Sequence, residues 1–130
     1  MTVAPRRPDP EAVGPRRRDP EAVAERLWAL LAPYRDRLVP GSVYGVETLA
    51  RAGAGAHGYF AGVSRKPGHA SLHLMPVYHD PSLLDGISPA LRRCVKGKAT
   101  LGFALVDEAV FIDLEALVAR AYAAYEASRT

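Results

Sequence analysis

Cysteine is all but absent from this chain. Cys94 stands alone, which excludes an internal disulfide and any metal site built from several thiolates. No stretch approaches the ~18 consecutive apolar residues that a membrane span needs. The N-terminal MTVAPRRPDPEAV carries positive charge with no apolar segment behind it. It is not read as a secretory signal, and the expected compartment is the cytoplasm. Lysine is scarce: Lys66, Lys96 and Lys98 stand beside fourteen arginines. The body of the chain also lacks an excess of either charge. Residues 1–18 hold five arginines against Asp9 and Glu11, which accounts for the whole formal charge of +3, and residues 19–130 carry twelve basic and twelve acidic side chains. A nucleic-acid-binding domain shows its basic footprint on the folded body, so nucleic acid is not an expected partner. A serine nucleophile elbow and a paired-glycine nucleotide fingerprint are missing too, and an enzyme is the weaker functional class.

What is present suffices for one domain and one core: 130 residues, of which 48% are hydrophobic, within the ordinary range for a globular chain. Residues 4–23 read APRRPDPEAV and then GPRRRDPEAV, a period of ten, with too few and too short copies for a solenoid. We read a local duplication that left a flexible Pro/Arg-rich leader over residues 1–18, ahead of a single domain over 19–130. A basic arm for an acidic partner or a membrane surface is the alternative.

The second copy also starts a helix. Asp19 suits the N-cap and Pro20 the first helical position. Val23, Leu27, Leu30, Leu31 and Tyr34 then recur at helical spacing, and Pro33 ends the helix near Leu31 with a further turn to Leu38. Pro40-Gly41 reads as a break. The run SVYGVETLAR over 42–51 is strand-like. It is followed by the turn AGAGAHG, the strand YFAGVSR, the hairpin turn KPG and the strand HASLHLMP. In that last strand Ala70, Leu72 and Leu74 alternate with Ser71, His73 and Met75, so one face meets the core and the other something less apolar. Pro76 closes the ladder.

Asp80-Pro81 and Ser88-Pro89 repeat the cap-then-proline device, starting a short helix through Leu84 and a second, PALRRCV, stopped by Gly97. ATLGFALV is a final strand with Leu101, Phe103 and Leu105 on one face. Asp107 caps a long helix whose stripe is Val110, Phe111, Leu114, Leu117, Val118, Ala121, Tyr122 and Tyr125. The sum is an α+β domain: a small antiparallel sheet with N- and C-terminal helices packed on one face and a short helical insert.

Several of these segments resemble a known family. Phe60-Ala61-Gly62, Met75-Pro76-Val77-Tyr78, Ser88-Pro89-Ala90-Leu91 and Lys96-Gly97-Lys98 occur in the order and spacing of the YdhG-like family of bacterial domains of unknown function, over roughly the last seventy residues. The resemblance implies an α+β domain of that type acting as a binding or chaperone-like module. Some members are described as iron chaperones resembling frataxin, which makes iron a cargo implied by resemblance alone. Two departures bear on any pocket. Ala99, Thr100 and Leu101 stand where the family often has a serine and a second aromatic, and His73 stands where it tends to have an aromatic.

Four groups of residues are candidates for chemistry. Arg92, Arg93, Lys96 and Lys98 cluster within seven residues. Cations at a helix C-terminus answer its dipole, so capping accounts for them readily, and a small anion held by Lys96 and Lys98 is the sharper alternative. The strand face with Ser71, His73 and Met75, joined by Thr100 and Gly102, suits a small ligand, a protein partner or a second copy of the chain. Lys98, Phe103 and His73 are expected to flank any enclosed pocket, with Arg92 and Tyr78 beside them. His69 and His73 are four apart on a strand, about 13 Å, too far for one metal ion. For iron, hard oxygen ligands are required, and Glu21 and Glu25 share a helix face. Cys94, between basic residues, has no assignable histidine and carboxylate and reads as a buried structural thiol. The leading expectation is a non-enzymatic binding or chaperone-like module for a metal ion or a protein partner. The alternative is a small-molecule or anion-binding protein, or an enzyme, that uses the Lys96–Lys98 loop and the open sheet face.

Overall fold

A computed structural model describes residues 18–128; apart from Arg18, the leader expected over 1–18 lies outside them. The chain runs helix α1 (Pro20–Leu31), a 3-10 segment (Ala32–Arg37), strands β1 (Val39–Val43), β2 (Val46–Ala50), β3 (Tyr59–Lys66) and β4 (His69–Leu74), and helix α2 (Met75–His79). It continues through a second 3-10 segment (Pro81–Leu84), helix α3 (Pro89–Arg92), strand β5 (Thr100–Phe103) and helix α4 (Glu108–Ala127). The five strands form one antiparallel meander in sequence order, and α1 and α4 pack together against its core face. This is the expected α+β architecture. No described helix is long and apolar enough to cross a membrane.

The helix boundaries follow from their caps. Asp19 Oδ1 accepts the Ala22 N–H at 3.1 Å, and Pro20 occupies the first turn, where its missing N–H costs no hydrogen bond. Asp107 Oδ1 accepts from the amides of Ala109 and Val110, satisfying donors that the first turn would otherwise leave orphaned. The buried positions of α4 are the eight of the expected stripe. On the sheet, Ala61, Val63, Ala70, Leu72, Leu74, Leu101 and Phe103 face the helices and are buried. The register pairs Ala61 with Leu74, Val63 with Leu72, and Ala70 with Phe103, so the period-two alternation holds on three adjacent strands.

One irregularity organises the core. The β2–β3 register runs from Leu49↔Ala61 to Ala50↔Tyr59, which leaves Phe60 unpaired at a bulge. An extra residue in one strand re-aims its side chain. Phe60 and Ala61 are both fully buried, and the Phe60 ring meets Tyr34 at 5.6 Å, Tyr122 at 5.1 Å and Tyr125 at 5.5 Å. Gly62 has a different reason. A Cβ there would come within 2.8 Å of Val46 Cγ1 and 2.9 Å of the Glu47 carbonyl, so only glycine lets β2 cross it. Two residues of the Phe60-Ala61-Gly62 motif are thus explained by packing.

Five expectations need correction. The run 42–51 is not one strand: it is the end of β1, a two-residue turn at Tyr44-Gly45, and β2. Pro40-Gly41 is not a break but lies within β1. In a two-residue hairpin the N–H groups alternate between partner and open edge. Counting back from Val43↔Val46, Pro40 falls where its N–H would point to the open edge, so the ladder loses nothing, and the edge loses a donor that could pair with a foreign strand. Pro76 does close the β4 ladder, but Met75-Pro76 opens α2 rather than prolonging the strand, since proline suits a helix's first turn. The helix PALRRCV stops at Arg92, before Gly97, and β5 stops at Phe103, leaving Leu105 half-buried outside the strand.

Tyr44 has φ +51° and Gly45 φ +81°, the pair of left-handed residues that a type I′ turn demands. For a bulky non-glycine residue this is a strained backbone state. Tyr44 is also 85% exposed, so little packing offsets the strain. Tyr44→Asn, which adopts this conformation readily, is expected to stabilise the domain by about 1 kcal/mol in urea unfolding.

Candidate functional site

Opposite the helices, the sheet presents Thr48 on β2, Gly62, Ser64 and Lys66 on β3, His69, Ser71 and His73 on β4, and Thr100 and Gly102 on β5, as the register requires. Hydroxyls, glycines and nitrogen bases make up this surface along β3, β4 and β5, and Val46 of β2 joins it beside Gly62. No carboxylate belongs to it among the described residues of the five strands: Glu47 sits at the opposite parity, paired with Val63.

His73 is its centre. It stands across from Gly62 and Thr100, with Nε2 2.9 Å from Ser64 Oγ and Nδ1 3.1 Å from Thr100 Oγ1. Burial holds the imidazole below its ordinary pKa, and the charge of Lys66 adds to the effect. The neutral ring has one N–H donor and one bare acceptor. One flanking hydroxyl therefore donates to the ring, while the other accepts from it and keeps its own O–H proton for something else. Either tautomer leaves one hydroxyl donor available on this face.

Lys96 lies over the same surface. Its Cγ and Cε would sit 3.2 and 3.6 Å from a Cβ at Gly102, with Ser71 Oγ 3.4 Å from the same point. The aliphatic stem of Lys96 therefore rests on the glycine. Ser71 is only 5% exposed, and its hydroxyl has no hydrogen-bond partner among the described residues. A buried hydroxyl without a partner is costly and marks a place where a ligand atom gains by binding.

The loop that carries Lys96 differs from expectation. It does not cap a helix. Val95 bridges to Leu101, and the amides of Lys96 and Gly97 both point to the Thr100 carbonyl, at 2.8 and 3.3 Å. The lysines therefore sit on the approach to β5, next to the strand pair that holds His73, because hydrogen bonding to β5 turns the chain back before the helix can continue. Lys98 Nζ stands 5.9 Å over the Tyr78 ring, so those two candidates meet. Arg92 does not join them: its guanidinium donates to the Leu84 carbonyl at 2.8 Å. Phe103 is overturned as a neighbour of His73. It sits on the core face, 5% exposed, with its ring 5.0 Å from Phe111, because β5 alternates and Thr100 and Phe103 have opposite parity.

The other candidates are placed as follows. Glu21 Oε1 is 3.5 Å from Arg65 Nε, and Glu25 is exposed on α1. Among the described residues no three His, Cys, Asp or Glu side chains converge. Cys94 is half-buried, its S–H directed at the Ala90 carbonyl. Burial pushes its thiol up despite Lys96 and Arg93, which is the environment of an inert thiol. Two things were not legible in the sequence: the role of Ser64, and the cleft beside the 51–58 loop described below. Ser64 sits nine positions before His73, with no motif linking them. The hairpin register alone joins them.

Because burial depresses the folded-state pKa of His73, the unfolded chain binds the proton first as pH falls. The neutral state's contribution is complete above the unfolded value of about 6.5 and is lost as pH falls through the lower folded value. Unfolding free energy measured between about pH 7 and about pH 5 is expected to fall more steeply for the wild type than for His73→Gln, which keeps a donor and an acceptor but cannot titrate. No protein-family model, curated protein or solved structure matches the chain.

Proposed function

We propose that the protein is a non-enzymatic binding module for a small anion, phosphate-like or carboxylate-like, taken up on the sheet face around His73 and the Lys96–Lys98 loop. One observation carries this reading: the buried Ser71 hydroxyl, without a partner among the described residues, and the stem of Lys96 flank the same point over Gly102. Around it the face holds nitrogen bases, hydroxyls and no strand carboxylate, a donor set that matches an acceptor-only ligand. Lys66 and Lys96 supply charge, and Ser71 together with one of Ser64 and Thr100 supplies O–H donors. Protonation of His73 makes both ring nitrogens donors, so both flanking hydroxyls then accept from it and both keep an O–H for the anion. Binding therefore strengthens as pH falls.

A second reading rests on Ser64 Oγ at 2.9 Å from His73 Nε2, the separation of a nucleophile and its base. It ranks behind because Nδ1 meets the Thr100 hydroxyl, where a carboxylate is needed to stabilise an imidazolium. A fluorophosphonate probe separates the two: the binding module leaves Ser64 unlabelled, and labelling that is lost in Ser64→Ala makes the protein an enzyme.

The anion reading is tested by titrating inorganic phosphate while following backbone amide shifts. Saturable shifts are expected at Gly62, Ser71 and Gly102, weakened about tenfold in Lys96→Ala through loss of one charge-assisted contact. They should also be stronger at pH 5.5 than at pH 7.5. Equal, non-saturating shifts in wild type and Lys96→Ala would sink it.

A further inference from the structure

A second site lies away from the sheet face. Between the 51–58 loop and the C-terminal turns of α2 and α4 is a cleft of about 560 Å³, within the range of roughly 300–1,000 Å³ typical of small-molecule sites. Its walls are apolar: Pro76 and Tyr59 are buried, and the Tyr125 ring joins them. Its polar groups are Arg51, His57, His79 and Asp80.

Arg51 is held in place and only partly used. Its guanidinium carbon stands 4.7 Å over the Tyr125 ring, and one terminal N–H reaches the Tyr125 carbonyl at 3.5 Å. The Arg51 amide donates to Tyr125 Oη at 2.9 Å, and that hydroxyl donates in turn to the Gly58 carbonyl at 2.7 Å. Backbone and side chain are therefore both tied to one tyrosine. The remaining guanidinium N–H groups have no partner among the described residues. A planar fork, stacked on an aromatic ring with donors to spare, is pre-organised for a carboxylate.

Several acceptors around the cleft are hydrogen-bonded within the fold, and Asp80 keeps its charge at the cleft's edge. The last carbonyls of α4 are covered: the Ser128 amide caps those of Ala124, Tyr125 and Glu126. Asp80 Oδ1 accepts both the amide and the hydroxyl of Ser82. His79 Nε2 is 3.3 Å from the His57 carbonyl and donates there. Arg51 is the one arginine or lysine among the described residues that line the cleft.

We propose that this cleft binds a small organic acid with a flat apolar body. The carboxylate pairs with the Arg51 fork, and the body lies on Pro76 and Tyr59. The site is independent of the sheet face, and neither requires the other.

Benzoate is the probe, with benzamide and benzylammonium as neutral and cationic controls of the same shape, read by amide shifts in the full chain. Saturable shifts are expected at Gly58, Ala124 and Ser128. Benzamide should bind about tenfold or more weakly, and Arg51→Gln should weaken benzoate by a similar factor. Arg51→Lys keeps the charge and the stem but loses the fork, so a loss of about threefold or more with an unchanged melting temperature supports the geometry even where the Gln variant is poorly folded. Three results overturn the proposal: controls that bind as tightly as benzoate, an Arg51→Lys variant of unchanged affinity, or benzoate shifts confined to Gly62 and Gly102. The last would assign the acid to the sheet face.

Discussion

The aromatic junction around Phe60 is the interaction on which the rest of this domain depends. A bulge frees Phe60 from the β2–β3 ladder, and its ring then touches the 3-10 segment through Tyr34 and the long C-terminal helix through Tyr122 and Tyr125. Full burial of one such ring contributes on the order of 2–3 kcal/mol, with aromatic geometry adding to it. Its consequences reach further than that figure. Tyr125, held from one side by Phe60, uses its hydroxyl to fasten both ends of the 51–58 loop, at Arg51 and Gly58. An Ala/Gly-rich segment with little to bury is held at both ends by one phenol, which also borders the cleft beside it.

The two faces of the sheet divide the labour. The helix side is apolar along β3, β4 and β5, apart from Arg65 near the end of β3, which reaches Glu21 of α1, and it supplies the core. The opposite side carries hydroxyls, two imidazoles and lysine, held at fixed spacing by the strands beneath. A polar face on a rigid ladder positions donors with little entropic cost on binding. Its two glycines act through the space they leave. Gly62 lets a neighbouring strand cross closely, and Gly102 makes a bed for the stem of Lys96.

Much of the architecture could be read from local signals. The cap-proline pairs at Asp19-Pro20, Asp80-Pro81 and Ser88-Pro89 mark helix or 3-10 starts, and each cap side chain accepts the expected amide. The eight-residue stripe of α4 and the alternation of β4 place the core without help from anything distant. Errors gathered where a residue has two uses. Pro40 reads as a breaker, yet it is compatible with an edge strand. Tyr44 reads as a strand residue, yet it takes a left-handed turn because Gly45 follows it. Gly97 reads as a helix stop, yet the helix ends earlier because Val95 finds a bridging partner in Leu101.

By itself the sequence determined the helix starts, the stripe of α4, the inward face of β4 and the α+β class, because caps and periodicity act over a few residues. It also pointed to His73 and the lysine loop as places of interest. Tertiary structure decided everything that depends on pairing across the chain. Register set His73 between Ser64 and Thr100 and sent Phe103 to the opposite face, since in a ladder a shift of one residue exchanges the two sides. The bridge at Val95 laid Lys96 over Gly102. Tyr125, far along the chain, fastened the loop and set Arg51 against its ring. Such contacts join residues beyond the reach of local periodicity, nine positions apart for Ser64 and His73 and 74 for Arg51 and Tyr125.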